Sequence, residues 1–135
     1  MSTFMKMTNG DSLPSIKLEP VTREDLIAYA NASGDHNPIH QDDHEALNAG
    51  LPGIIAHGMW TMGNLTKLFT PYVEEGFMEE IQIRFRGMVF LGDVVRLEAR
   101  ADEVSDETVR FSVRACQQDD RPVVEGEVFI RLYGE

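Results

Sequence analysis

The chain has a single cysteine, Cys116, and so cannot close an internal disulfide. That suits a reducing cytoplasm. The opening segment, MSTFMKMTNG, lacks the basic start and apolar block of a secretory signal. No apolar run approaches the roughly twenty residues of a membrane-spanning helix. Basic side chains are scarce: 12 Lys and Arg stand against 23 Asp and Glu, a net charge of −11. Such a surface repels phosphate backbones and anionic lipid, which argues against nucleic acid and membranes as partners. An anionic small ligand would need a local basic patch, for which Lys67, Arg84 and Arg86 are the candidates. There is no Gly-rich phosphate loop, no internal repeat and no low-complexity tract.

What is present suffices for one domain over residues 1–135, with 42% hydrophobic residues to build a single core. All four histidines, His36, His40, His44 and His57, fall between Tyr29 and Met62, in a stretch rich in turn formers. A purely connecting segment has little use for so many titratable groups. This stretch is therefore the candidate working part, and the rest is its support.

The first half of the chain patterns as loops and helices. Ser15 to Leu18 can form a short strand, ended by Pro20. Thr22 offers an N-cap with acidic residues in the first turn, which predicts a helix to Asn31. Gly34 ends it, and Pro38 forces Asn37 into an extended conformation. A short helix is expected from Asp42 to Asn48. Met59, Trp60, Met62, Leu65, Leu68 and Phe69 predict a broadly apolar helix from Gly58 to Phe69, buried on several sides and broken by Pro71.

After Gly76 the apolar period changes to two. Ile81–Phe85, Val95–Ala101, Val109–Ala115 and Val124–Leu132 read as four half-buried antiparallel strands. The turns fall at Gly92-Asp93, Ser105-Asp106 and Asp119-Asp120. The economical packing is α+β, with the apolar helix laid across the sheet. Exposed sheet edges favour a homodimer.

The chemistry centres on Asp35 and His40. Folded back across a turn, a carboxylate and an imidazole can share one water, as adding or removing water across a double bond requires. Histidine suits the task because its unperturbed pKa lies near neutrality. Gly58 opens the apolar helix, where unpartnered N–H groups can hold a carbonyl oxygen as charge develops. Each residue has a structural alternative: an Asx turn for Asp35, a packed imidazole for His40, close helix packing for Gly58. A metal site at His40 and His44 with Asp42 and Asp43 is a further option. The helical metal motif is incomplete, however, because Asn48 stands where a second histidine is required. Cys116 has no neighbouring base to make it a nucleophile.

Tyr29-Ala30, Ser33-Gly34-Asp35-His36-Asn37-Pro38-Ile39-His40 and Ala56-His57-Gly58-Met59 together resemble the signature of the MaoC-like (R)-specific enoyl thioester hydratases and dehydratases. Gly10-Asp11, Leu13-Pro14, Arg84-Phe85 and Gly92-Asp93 extend the likeness over nearly the whole chain. The resemblance implies a hot dog fold, an antiparallel sheet wrapped around a central helix and usually dimeric. It implies reversible syn addition of water to trans-2-enoyl thioesters of coenzyme A or acyl carrier protein. Asp35 and His40 would hold the water, and the Gly58 N–H would polarise the thioester carbonyl. Asn37, His57, Met59 and Arg84 would contact substrate or shape its loop. No metal or other cofactor is implied. The family often carries proline where this chain has Met88 and Leu91, beside its substrate channel. A thioesterase on the same scaffold, or the catalytic half of a heterodimeric dehydratase, are the alternative functions.

Overall fold

The structure, a computed structural model, describes residues 3–134; residues 1, 2 and 135 of the expected domain lie outside them. In chain order the helices are α1 (Thr3–Lys6), α2 (Arg23–Ser33), α3 (Asp43–Asn48) and α4 (Gly58–Leu65). The strands are β1 (Ile16–Lys17), β2 (Gly76–Phe85), β3 (Arg96–Val104), β4 (Thr108–Cys116) and β5 (Pro122–Leu132). They form one antiparallel sheet in the order β1-β3-β4-β5-β2.

Alternation along the strands decides which face is dry. Leu97, Ala99 and Ala101 of β3, Val109, Phe111 and Val113 of β4, and Val124, Val128 and Ile130 of β5 are all buried. Leu65 of α4 is fully enclosed and joins this cluster. Burying a side chain of that kind contributes roughly 2 kcal/mol. The opposite face carries arginines and acids in register, such as Arg114 beside Glu98, with Nε 2.7 Å from Oε1. A single sheet curved around a central helix is the hot dog arrangement, as expected.

The apolar helix is shorter than its pattern suggested. Regular α-helix stops at Leu65, and tighter 3-10 turns follow at Thr66–Leu68 and Thr70–Tyr72. Thr66 Oγ1 donates back to the Gly63 carbonyl at 2.7 Å, and Thr70 Oγ1 to the Thr66 carbonyl at 3.2 Å. These hydroxyls compete for the carbonyls that would continue the ladder. Pro71 is the second residue of the last turn rather than a helix breaker, because a first-turn position needs no N–H. Nor is α4 enclosed all round. Thr61 and Leu65 are buried, but Met59 is 55% exposed, since the sheet covers only one side of the helix.

Strand β2 is the long free edge of the sheet, and Phe77 and Phe85 on it are largely exposed. At the other end of the sheet, β1 is a two-residue edge paired with Arg96 and Leu97. The segment from Ile54 to Ala56 is tied to the stretch before β3. The Ala56 N–H donates to the Val89 carbonyl at 2.7 Å, and the Leu91 N–H to the Ile54 carbonyl at 3.4 Å. A proline at position 91 could not make the second bond. This ladder brings the chain to His57 and the mouth of α4.

Candidate active site

Helix α2 delivers the first half of the site. Thr22 and Asp25 form a capping box at its start, and Gly34 closes its end in the left-handed region at φ 79°. The Gly34 N–H donates to the Ala30 carbonyl at 2.9 Å, which turns the chain sharply into Asp35. Asp35 Oδ1 accepts from the Asn37 N–H at 3.2 Å, and Asn37 Oδ1 accepts from the Ile39 N–H at 3.2 Å. Two successive Asx turns thus lead into a 3-10 turn, Pro38–His40. Asn37 shapes the loop with its own side chain. Asp35 is an Asx-turn residue too, but its other oxygen, Oδ2, takes no part in the turn.

His40 is 8% exposed, and its Nδ1 lies 2.8 Å from the Ile55 carbonyl. A carbonyl only accepts, so Nδ1 carries the proton and the neutral ring keeps a bare lone pair on Nε2. That Nε2 stands 4.0 Å from Asp35 Oδ2. The gap is too long for a direct hydrogen bond. Two atoms each about 2.8 Å from one water oxygen, and this far apart, subtend roughly 90° at it, which a bridging water accommodates. The pair is therefore set for a shared water rather than for a salt bridge.

His57 is 2% exposed. Its Nε2 donates to the Asp35 main-chain carbonyl at 3.0 Å, and its ring stacks on His40 at 3.8 Å between centroids, tilted 25°. Tyr29 packs against its ring at 4.8 Å. His57, expected to contact substrate, has its ring enclosed, and its Nδ1 is buried with no hydrogen-bond partner. Burial holds the His57 pKa below the ordinary value, and the nearby His40 and His36 add to the effect. The hydrogen bond to, and the charge of, Asp35 oppose it.

This has a consequence for stability. As pH falls through about 6.5, His57 takes up a proton in the unfolded chain before it does so in the folded one. The unfolded state then binds more protons, so stability declines from about pH 6.5 down to the folded pKa and levels off below it. Urea unfolding at pH 7.5 and 5.5 should show this decline, and His57→Phe should remove its share of it.

His57 is also the residue before α4, and its side chain makes no cap bond to that helix. Its carbonyl accepts from the Trp60 N–H at 3.0 Å, whereas the Gly58 N–H, at the first helical position, has no carbonyl behind it within the helix. The space beside the Gly58 α-carbon is not empty. A Cβ there would stand 3.1 Å from Phe85 Cε1 and 3.3 Å from Phe85 Cδ1. Glycine at this position lets the Phe85 ring close against the mouth of α4.

Other expected residues fall elsewhere. Arg84 sits on the sheet face opposite Ile83 and Phe85, exposed beside Gln82, Arg114, Glu125 and Glu127, so the fold does not bring it to the pair. Arg86 is half-exposed and lies 3.5 Å from Glu125. Lys67 is exposed on the 3-10 turn after α4. Met59 lies exposed in the first turn of α4. His44 is exposed on α3 while His40 is buried in the preceding turn, so the two do not converge. Asp35, His40 and His57 do cluster, with one ligand atom from each inside 4.8 Å. Yet His57 Nε2 is taken by a carbonyl and its Nδ1 is enclosed. A cation would find two free ligands, where zinc sites use three or four. Cys116 is fully buried, and burial pushes its thiol pKa up, against a nucleophilic role.

Two contributors were not apparent from residue type: the Ile55 carbonyl, which fixes the His40 tautomer, and Phe85, which closes on Gly58. The alternation of β2 places Phe85 on the inner face, but its meeting with Gly58 is a tertiary contact. No described helix is long and apolar enough to cross a membrane.

A family profile described as "MaoC like domain" matches residues 6–119. Over 123 residues the chain is 28% identical to a 3-hydroxybutyryl-CoA dehydratase of Methylorubrum extorquens, covering 89% of this chain and 78% of that protein. Over 88 residues it is 38% identical to the peroxisomal hydratase-dehydrogenase-epimerase of Saccharomyces cerevisiae, covering 64% of this chain and only 9% of that much longer protein. Among solved structures, the R-hydratase PhaJ1 of Pseudomonas aeruginosa superposes with a TM-score of 0.87 at 26% identity, over 98% of this chain and 86% of that one.

Proposed function

We propose, from the premise that this chain belongs to the MaoC-like domain family, that it is a hydro-lyase adding water reversibly to trans-2-enoyl thioesters to give (3R)-3-hydroxyacyl thioesters. The carrier is coenzyme A or acyl carrier protein. The observation that carries the reading is the bare His40 Nε2, 4.0 Å from Asp35 Oδ2, with the His40 ring stacked on His57, the residue that precedes α4.

In this reading His40 Nε2 takes a proton from a water that Asp35 Oδ2 holds by its other hydrogen. The oxygen bonds to C3, the C2–C3 π pair moves toward C1, and the thioester oxygen becomes an enolate held by the Gly58 N–H. The proton returns from His40 to C2 as the enolate collapses. Because one group removes and returns it, hydroxyl and hydrogen arrive on the same face, which is syn addition.

The functional unit is proposed to be a homodimer, in which a second copy pairs along β2 and covers Phe85 and Met59. Sedimentation at twice the 15.2 kDa chain mass is the expected result, and a monomer would contradict it. A heterodimer with a second hot dog chain is the alternative assembly. The cytoplasm is the proposed compartment, since the lone thiol of Cys116 is buried and unpaired.

Crotonyl-CoA is the direct test of the activity. Loss of enoyl absorbance with formation of a single (3R)-hydroxy product is expected. Release of free thiol without hydration would replace this reading with a thioesterase.

A further inference from the structure

The His57 ring is enclosed, and it is held by contacts to both members of the reacting pair. Its Nε2–H donates to the Asp35 carbonyl at 3.0 Å, across 22 residues of sequence. Its ring lies face to face with His40 at 3.8 Å. One side chain therefore touches both halves of the pair, the loop of Asp35 through its main chain and His40 through its ring. The His57 main chain meanwhile opens α4, whose first N–H belongs to Gly58.

Its buried Nδ1 has no donor facing it, a costly arrangement for any polar atom. That arrangement fixes both tautomer and charge. A proton on Nδ1 would be an enclosed N–H with no acceptor, and turning the ring over would break the bond to Asp35. The charged or titratable groups around it are His40, Asp35 and His36, with Tyr29 against the ring. A neutral ring matters here because His40 gains a positive charge when it takes the proton from water. A second imidazolium at 3.8 Å would oppose that charge.

We propose that His57 is a positioning residue of this site: its Nε2–H sets the Asp35 loop, and its uncharged ring is the platform on which His40 is oriented and charged. This rests on the hydratase reading above. The two contacts can be separated by substitution. His57→Phe keeps a ring under His40 and removes the donor to Asp35. His57→Gln keeps an amide donor and removes the ring.

The test combines steady-state hydration of crotonyl-CoA, thermal unfolding, and nitrogen-15 NMR of the histidine rings in the wild type. A displacement near 1 Å at the reacting groups is enough for about a 10²-fold loss. We expect His57→Phe to lower kcat by about 10²-fold with KM within about threefold of wild type. His57→Gln should recover about tenfold of that loss. In the wild-type spectra His57 should stay the Nε2-protonated neutral tautomer as the pH falls through about 6.5, the ordinary histidine value. The proposal is overturned if His57→Phe keeps kcat within threefold of wild type, or if both variants lose kcat only in step with melting temperature. It is overturned equally, and independently of any activity, by spectra in which His57 is already charged at about pH 6.5 or carries its proton on Nδ1. A wild type that hydrates nothing while its spectra match would overturn the hydratase reading and leave the tautomer assignment standing.

Discussion

His40→Asn is expected to lower kcat for enoyl thioester hydration by at least about 10²-fold while leaving the protein folded. The choice of asparagine follows from the contacts. Its amide nitrogen occupies nearly the position of His40 Nδ1, so it retains the donor to the Ile55 carbonyl, 2.8 Å away in the native protein. What disappears is Nε2, the lone pair facing Asp35 Oδ2 at 4.0 Å. General base catalysis by a positioned side chain contributes typically about 10²- to 10⁴-fold, and the loss should fall in that range. Stability should change by no more than about 2 kcal/mol, because one stacked ring is removed and no carbonyl is orphaned. Stopped assays of product and a urea titration check the two halves separately. A variant retaining more than a tenth of the native rate would remove His40 from the proton transfer.

Gly126→Ala should fail for a different reason. Gly126 lies in β5 opposite Ile83 of β2. A Cβ at this position would stand 1.9 Å from the Gln82 carbonyl oxygen and 2.9 Å from the Ile83 α-carbon. Both are main-chain atoms of the neighbouring strand, so no side chain can move aside. Strands β2 and β5 must part, and β2 is the edge that ends in Phe85 beside Gly58. The expected cost is at least about 4 kcal/mol, at the far end of single-substitution effects. Against a total stability of about 5–15 kcal/mol this leaves little or no folded protein at 37 °C. Alanine at Gly63 is the matched control, since nothing lies within 4 Å of its Cβ position and it faces solvent on α4. There alanine should stabilise by up to about 1 kcal/mol. Thermal unfolding of the two variants should move in opposite directions, and a well-folded Gly126→Ala protein would contradict the strand geometry.

The elements whose cause is local were legible from the residues alone. Thr22 caps α2 and Gly34 ends it because capping depends on side chains within a few positions. The strand cores followed from alternation, which a pleated strand enforces. What escaped depends on distant contacts or on competition. Continuing α4 to Phe69 was reasonable on its apolar pattern, but two threonine hydroxyls took the carbonyls and tightened the chain. Arg84 joins the expected site through its charge and the family resemblance, although strand alternation already sends it to the face opposite Phe85. The pairing of Asp35 with His40 was readable because a turn lies between them. The part played by His57 was not, because nothing in a His-Gly dipeptide shows that the ring is buried, stacked and bonded to a carbonyl 22 residues earlier.

The two reacting side chains differ in setting. Asp35 is half-exposed on a loop, and His40 is nearly enclosed beneath it. Asp35→Asn keeps the oxygen that accepts the Asn37 N–H and removes the charge on its partner oxygen. The central claim is that the two groups act on one water as a unit. The measurement that tests it is a kcat cycle over the native protein, Asp35→Asn, His40→Asn and the double variant. Groups acting as a unit lose nearly everything with the first removal. The account predicts a double variant within about threefold of the slower single one. Losses that multiply, or an Asp35→Asn protein as fast as the native one, would contradict it.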